Sequence, residues 1–144
     1  MELNPASIVN QNPVFFYSQL NDLKVQFNAH VGKAGGVHSS ADSADVVFAA
    51  NATDEGSSAL LVNELRTAYS NHIKKGSIHA IADGTHILVI ATLATDLPAA
   101  YARFIELQRV YNLHVANDYK DWHATPDTED KTTLAAQLAP TYIR

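Results

Sequence analysis

Seven histidines occur in a chain of 144 residues that has no cysteine, and six of them keep a fixed phase. His30, His72 and His114 are separated by 42 residues and again by 42. Each is followed by a second histidine (His38, His79, His123) and, four residues later, by an aspartate (Asp42, Asp83, Asp127). Only His86 stands outside this pattern. Two imidazoles and one carboxylate, for instance His30, His38 and Asp42, form the ligand set of a non-haem iron site, or of zinc holding a water. The same residues have an architectural reading. A helix-terminal imidazole can bond a loop carbonyl, a loop histidine can pack over the helix end, and the aspartate can hold that imidazole or cap a turn. Catalytic sites seldom need three copies in one small chain, so the triple occurrence favours architecture. A third arrangement gathers His30, His72 and His114 from parallel helices into one three-histidine site. The choice depends on whether the helices form a closed bundle or a row.

The elements that must position these residues are legible in the same phase. Each of the three leading histidines ends a helix-like run: Leu20 to His30, Val62 to His72 and Phe104 to His114. Asn12-Pro13, Asp54 and Asp96-Leu-Pro98 fall at equivalent places and read as helix starts, with Thr53 and Thr95 as competing caps. Apolar positions recur on one face: Phe16, Leu20, Leu23, Phe27; then Val62, Leu65, Tyr69; then Phe104, Leu107, Tyr111. The spacing predicts helices over about 13–31, 55–74 and 97–116, with the histidines one turn beyond the aromatic residues. Gly32 to Gly36 and Lys74-Lys-Gly76 follow the first two helices, as glycine and cations suit a helix C-terminus. The extended stretches Val46 to Asp54 and Ile87 to Asp96 then return the chain, either pairing as short parallel β or packing as simple extended chain in the grooves between helices.

The fold expected is therefore mainly α with short β: three roughly parallel amphipathic helices joined by extended returns, a three-fold internal repeat. The alternative is α/β with a small parallel sheet among the returns. One domain, 1–144, would hold repeats at about 12–53, 54–95 and 96–139. The formal charge of −5 and the scattered basic residues leave no footprint for nucleic acid. The longest mainly apolar stretch, Ile87 to Ala94, is far short of the roughly 20 residues that span a bilayer, so no membrane is expected. The start, Met-Glu-Leu-Asn-Pro, lacks the pattern of a secretory signal. Lys24, Lys33, Lys74 and Lys75 read as solvated, His86 as a surface residue opposite Ile87, and Trp122, beside His123 with Tyr119 near, as core or as a contact with a neighbouring subunit.

A helix ending in Leu-Asn-(Asp/Glu)-Leu-Lys-x-x-(Phe/Tyr)-Asn-x-His, a Val-His-x-x-x-Asp loop and an Ala-Thr-Asp helix start resembles tandem repeats in virion structural proteins of tailed bacteriophages. The resemblance covers about residues 12 to 139. His30, His38, Asp42, His72, His79, Asp83, Asp96 and His114 match it. Ser70-Asn71-His72 shifts the asparagine by one, the spacing from first to second histidine varies, and the third copy lacks a following helix. The resemblance implies a non-enzymatic virion protein, a capsid decoration or cement protein or a head–tail accessory. Its partners would be the major capsid protein or other virion proteins, with homo-oligomers or many copies on the particle. Apolar residues at the ends (Ile8, Val9, Leu134, Leu138, Ile143) suggest half-repeats that dock on a partner. The rival expectation is a metal-binding protein or metal-dependent enzyme using the His-His-Asp sets with zinc or iron; otherwise no cofactor is expected.

Overall fold

The computed structural model describes residues 13–90, 92–117, 121–127 and 130. These are mainly helical: α1 spans Pro13–Val31, α2 Glu55–Ile73 and α3 Leu97–Val115, with one 3-10 turn at Ser43–Asp45. The helices fall within a residue of the expected spans. Asp54 caps α2 by accepting from the Ser57 amide at 2.8 Å, while the Ser57 hydroxyl accepts from the Asp54 amide at 3.0 Å. Asp96 does the same for α3, accepting from the Ala99 amide at 2.8 Å, with Pro98 in the first turn where a missing amide costs least. The Asn12 cap and the terminal half-repeats lie outside the described residues.

The three helices run parallel. Near their starts the Leu97 amide donates to Glu55, and Phe16 packs edge-on against Tyr101 and Phe104. Near their ends Phe27 meets Tyr111 and His72, and the Tyr69 hydroxyl donates to the Val110 carbonyl. The stripe between these ends is the core. Leu23, Leu65 and Leu107 are 1%, 0% and 1% exposed, and Phe16, Leu20, Phe27, Val62, Tyr69, Phe104 and Tyr111 are buried with them. Burial of such a side chain contributes roughly 1.5–3 kcal/mol, so this stripe is what holds the helix ends, and the residues on them, in register.

The short β expected of the returns is not formed: among the described residues there is no strand, and the small parallel sheet falls with it. The physical reason is that helix side chains satisfy the extended backbone instead. Asn21 donates to the Ala52 carbonyl and accepts from its amide, at 3.1 and 2.6 Å. Asn63 makes the same pair of bonds with Ala94, at 3.0 and 2.9 Å. Glu64 accepts from the amides of Phe48 and Ala49, and Glu106 from those of Val89 and Ile90. Arg66 and Arg103 donate to carbonyls of the second return, as Lys24 does in the first. A backbone whose donors and acceptors are met this way needs no neighbouring strand.

Candidate metal centre

His30, His72 and His114 each lie one helical turn beyond the aromatic ring of Phe27, Tyr69 or Tyr111, and each is fully buried. Parallel helices of equal length bring all three to the same end of the bundle. The loops that follow fold back over that end. The amides of Asp42, Asp83 and Asp127 donate to the last carbonyls of the helices, those of Val31, Ile73 and Val115, at 2.7, 2.8 and 2.7 Å. The loops also bond one another in a closed circuit, Ser39 to Ile78, Ala80 to Trp122 and Thr125 to Gly36. Gly36 is required in this circuit: its φ is +115°, and a Cβ would sit 3.3 Å from the Thr125 hydroxyl. The circuit places His38, His79 and His123 opposite the helix histidines, at 2%, 4% and 0% exposure.

In all six rings Nδ1 faces an acceptor. His30 donates to Asp127, His72 to Asp42 and His114 to Asp83, each at 2.8 Å. His38 and His79 donate to the carbonyls of Lys33 and Lys75, at 2.7 and 2.9 Å. His123 donates at 2.8 Å to the side-chain oxygen of Asn117, whose amide nitrogen is fixed by the His123 carbonyl. Carboxylates and carbonyls only accept, so each neutral ring carries its proton on Nδ1 and presents a bare lone pair on Nε2. Those lone pairs all point inward. The Nε2 atoms of His38, His79, His114 and His123 are buried and have no hydrogen-bond partner among the described residues. Those of His30 and His72 face each other at 3.1 Å. Leaving a buried acceptor unmet costs about 1–3 kcal/mol, and here that cost is concentrated at one point.

The rings meet edge to face, His79 and His123 at a tilt, with centroids 4.6–5.5 Å apart, and each meets all the others but one. His30 does not meet His79, His72 does not meet His123, and His114 does not meet His38. These are the neighbour relations of an octahedron whose opposite vertices are those three pairs. The ligand atoms of His30, His72, His79, His114 and His123 lie within 4.8 Å of one another, and His38, outside that set, joins the cluster through its ring contacts. Opposite donors on a metal–imidazole bond of about 2.1 Å are about 4.2 Å apart, and adjacent ones about 3.0 Å. The six rings are arranged about one point in the pattern of a coordination sphere, and five of their donor atoms approach its size.

Burial lowers the pKa of His30, His38, His79, His114 and His123, and neighbouring imidazoles lower it further; His79 is brought down to about 4. These five imidazoles are therefore neutral and able to donate near pH 7. Burial would raise the Asp42 carboxyl, but hydrogen bonds from His72, Asp45 and Lys75 outweigh it and hold the group well below the usual range. Around the centre the charges are grouped in sectors. Lys75 bridges Asp42 and Asp45, at 2.6 and 2.7 Å, and Lys33 bridges Asp127 and Asp130, at 2.7 Å each. Lys33 and Lys75, expected to be solvated, are thus ion-paired and only partly exposed. In the third sector His86 stands in the place of the second aspartate, donating to Asp83 at 2.8 Å, and Asn117 in the place of the lysine.

The candidates from sequence are all near this centre, but not as His-His-Asp sets. The six histidines converge, while Asp42, Asp83 and Asp127 sit behind them on Nδ1 and do not face the middle. Each aspartate, moreover, holds the helix histidine of another segment rather than its own, so Asp42 serves His72 and not His30. His86, expected on the surface, is 5% exposed and meets buried Trp122 edge to face, while Ile87 is exposed, so the two do face opposite ways but with the sides reversed. Sequence reasoning passed over Asp45 and Asp130; their signal was a spacing of three from Asp42 and Asp127, which His86 repeats after Asp83. Comparison of the chain with protein-family models, with curated proteins and with solved structures finds no match.

Proposed function

We propose that this chain is a non-enzymatic structural protein whose three-helix module is fastened by one transition-metal ion, such as zinc or iron. The observation that carries the reading is the convergence of buried imidazole nitrogens, all held in the tautomer that a metal requires. An architectural cluster would spend those nitrogens on hydrogen bonds to loop or helix groups; here Nδ1 makes the bonds and Nε2 is kept back. Carboxylates behind metal-ligating histidines fix ring orientation and raise ligand basicity, which is the position of Asp42, Asp83 and Asp127. Because the site joins the ends of all three helices, an ion bound there stabilises the whole fold.

The module is further proposed to be a three-fold internal repeat. Contacts recurring 42 residues apart support this: Asn21 with Ala52 and Asn63 with Ala94, Lys33 and Lys75 with their paired aspartates. The resemblance of that repeat to tailed-phage proteins makes a virion component the setting favoured, with a decoration, cement or head–tail role and capsid or other virion proteins as partners. Exposed Phe48, Leu60 and Val89, at 85%, 71% and 79%, offer apolar surface for such contacts.

The test is metal content and thermal stability of tagless protein. One equivalent of metal per chain, and a melting temperature that falls on chelation and recovers on refilling, is the expected result, since ligand at 1,000 times its Kd stabilises by about 4 kcal/mol. Metal-free protein with an unchanged melting point in excess zinc or iron would end the metal reading. Mass spectrometry of purified particles tests the setting separately.

A further inference from the structure

We infer that the centre is a coordinatively saturated six-imidazole site. It would select a first-row dication that favours six nitrogen donors, iron(II), cobalt(II) or nickel(II), over four-coordinate zinc, and leave no position for water or substrate. The inference rests on the metal reading above and goes beyond it in fixing the coordination number, the class of ion and the chemistry excluded.

Three observations carry it. The first is the set of ring pairs that do not meet, His30 with His79, His72 with His123 and His114 with His38, which gives the six rings the neighbour relations of an octahedron, with five donor atoms within 4.8 Å of one another and His38 outside that set. Each pair joins one helix histidine to one loop histidine, so the ion sits between a triangle on rigid helix ends and a triangle on the loop circuit. The second is scale: the His30–His72 separation of 3.1 Å matches adjacent donors in six-coordination, for which about 3.0 Å follows from a bond of about 2.1 Å. Tetrahedral donors on the same bond length lie about 3.4 Å apart, and two of the six imidazoles would be left unused and buried. The third is charge. Six neutral donors leave a dication its full charge, and the surrounding ring answers it. In two sectors a lysine balances only one of two aspartates, and in the third Asp83 stands with His86 and Asn117.

Zinc structural sites are almost always tetrahedral, and catalytic sites keep one position open. This centre does neither. Imidazole suits iron, nickel, copper and zinc alike, so geometry decides among them, and copper(II) favours a tetragonal field over six like donors.

Tagless protein refolded with cobalt(II) should show the weak visible bands of a six-coordinate ion, not the intense blue of a tetrahedral one. Azide should leave that spectrum unchanged. X-ray absorption on the nickel form should give six nitrogen neighbours with imidazole scattering, and equimolar nickel and zinc should load mainly nickel. His123→Gln should open one vertex, so that azide now alters the cobalt spectrum; should that variant not fold, the wild-type spectra decide alone. Uptake of cobalt in a four- or five-coordinate site, or an azide response in the wild-type protein, overturns the saturated centre and leaves metal binding standing. Failure to take up cobalt, nickel, iron or zinc at all overturns both.

Discussion

His30 donates its Nδ1 proton to Asp127 at 2.8 Å across 97 positions of sequence, and this bond closes the ring that the other two histidine–aspartate pairs leave open. Asp42 reaches forward to His72 and Asp83 forward to His114, over 30 and 31 positions. Among the described residues no helix follows Asp127, and its carboxylate reaches back to the first. The link makes a bundle out of what a purely sequential pairing would leave as a row, and it puts the three helix histidines around one point.

Asp127→Ala is therefore expected to unlatch the ring. The carboxylate is buried and also pairs with Lys33 at 2.7 Å. Removing one member of a buried pair costs about 3–5 kcal/mol; partial exposure of Lys33 argues for the low end. Urea unfolding checks this. Metal affinity should also fall, by about 10–100-fold as for other partners of ligating histidines. A loss below about 1 kcal/mol would mean that the first and third segments are held together by other contacts.

Leu65→Ala should cost about 2–5 kcal/mol, as core truncations do. Leu65 is fully buried at the middle of α2, and Leu23 and Leu107 occupy the matching places in α1 and α3. The same substitution at each of the three should give costs of similar size if the helices are copies of one unit. Chemical denaturation of the three variants, with costs differing by more than the spread expected of ordinary leucine sites, would count against equivalence.

Acid should destabilise the chelated protein well before carboxylates titrate. The imidazoles of His30, His38, His79, His114 and His123 have lowered pKa values in the folded chain, His79 about 4, against about 6.5 in the unfolded one. Below pH 6.5 the unfolded chain thus binds more protons than the folded chain, and stability rises with pH in this range. The contribution is complete above about pH 6.5 and is lost progressively as the pH falls toward the folded values. Each unpaired proton contributes a slope of about 1.4 kcal/mol per pH unit. Denaturation midpoints between pH 7.5 and 5 read this directly, and a flat profile would show that the rings are not buried in their neutral form.

Helix spans and core leucines were legible in the chain because 3.6 residues per turn sets the faces, whereas the gathering of the helix histidines was one of three arrangements that spacing alone left open. Pairing partners were not legible. That Asp42 serves His72 rather than a histidine of its own segment is decided by which helix lies beside the loop, and spacing along the chain does not encode it. The returns looked like strands because Val46-Val-Phe and Ile87-Leu-Val-Ile have strand composition, yet Asn21, Asn63, Glu64 and Glu106 supply the bonds a sheet would have made. Tyr69 and Tyr111 extend the point. Their hydroxyls donate to the carbonyls of His86 and Asp130, matching positions in neighbouring sectors, although either ring read from sequence was only a large apolar side chain.

The third sector offers a test of how the ring is charged. In the other two, a lysine bridges two aspartates; here His86 and Asn117 replace one aspartate and the lysine together. His86→Asp alone puts a second carboxylate beside buried Asp83 without the lysine of the other sectors, and also removes the ring set edge to face against Trp122. It should be strongly destabilising. Asn117→Lys alone should cost stability too, because Asn117 takes φ of +57° and bonds His123 through both ends of its amide. In the double variant the new lysine can bridge Asp83 and the new aspartate as Lys75 bridges Asp42 and Asp45. The two substitutions should then couple favourably, by about 0.5–3 kcal/mol in a double-mutant cycle, the range for residues in one ion-pair network. Thermal or urea unfolding of the four proteins closes the cycle. Strict additivity would show that the third sector is not interchangeable with the others, and that Asn117 is held for its backbone conformation and its grip on His123 rather than for charge.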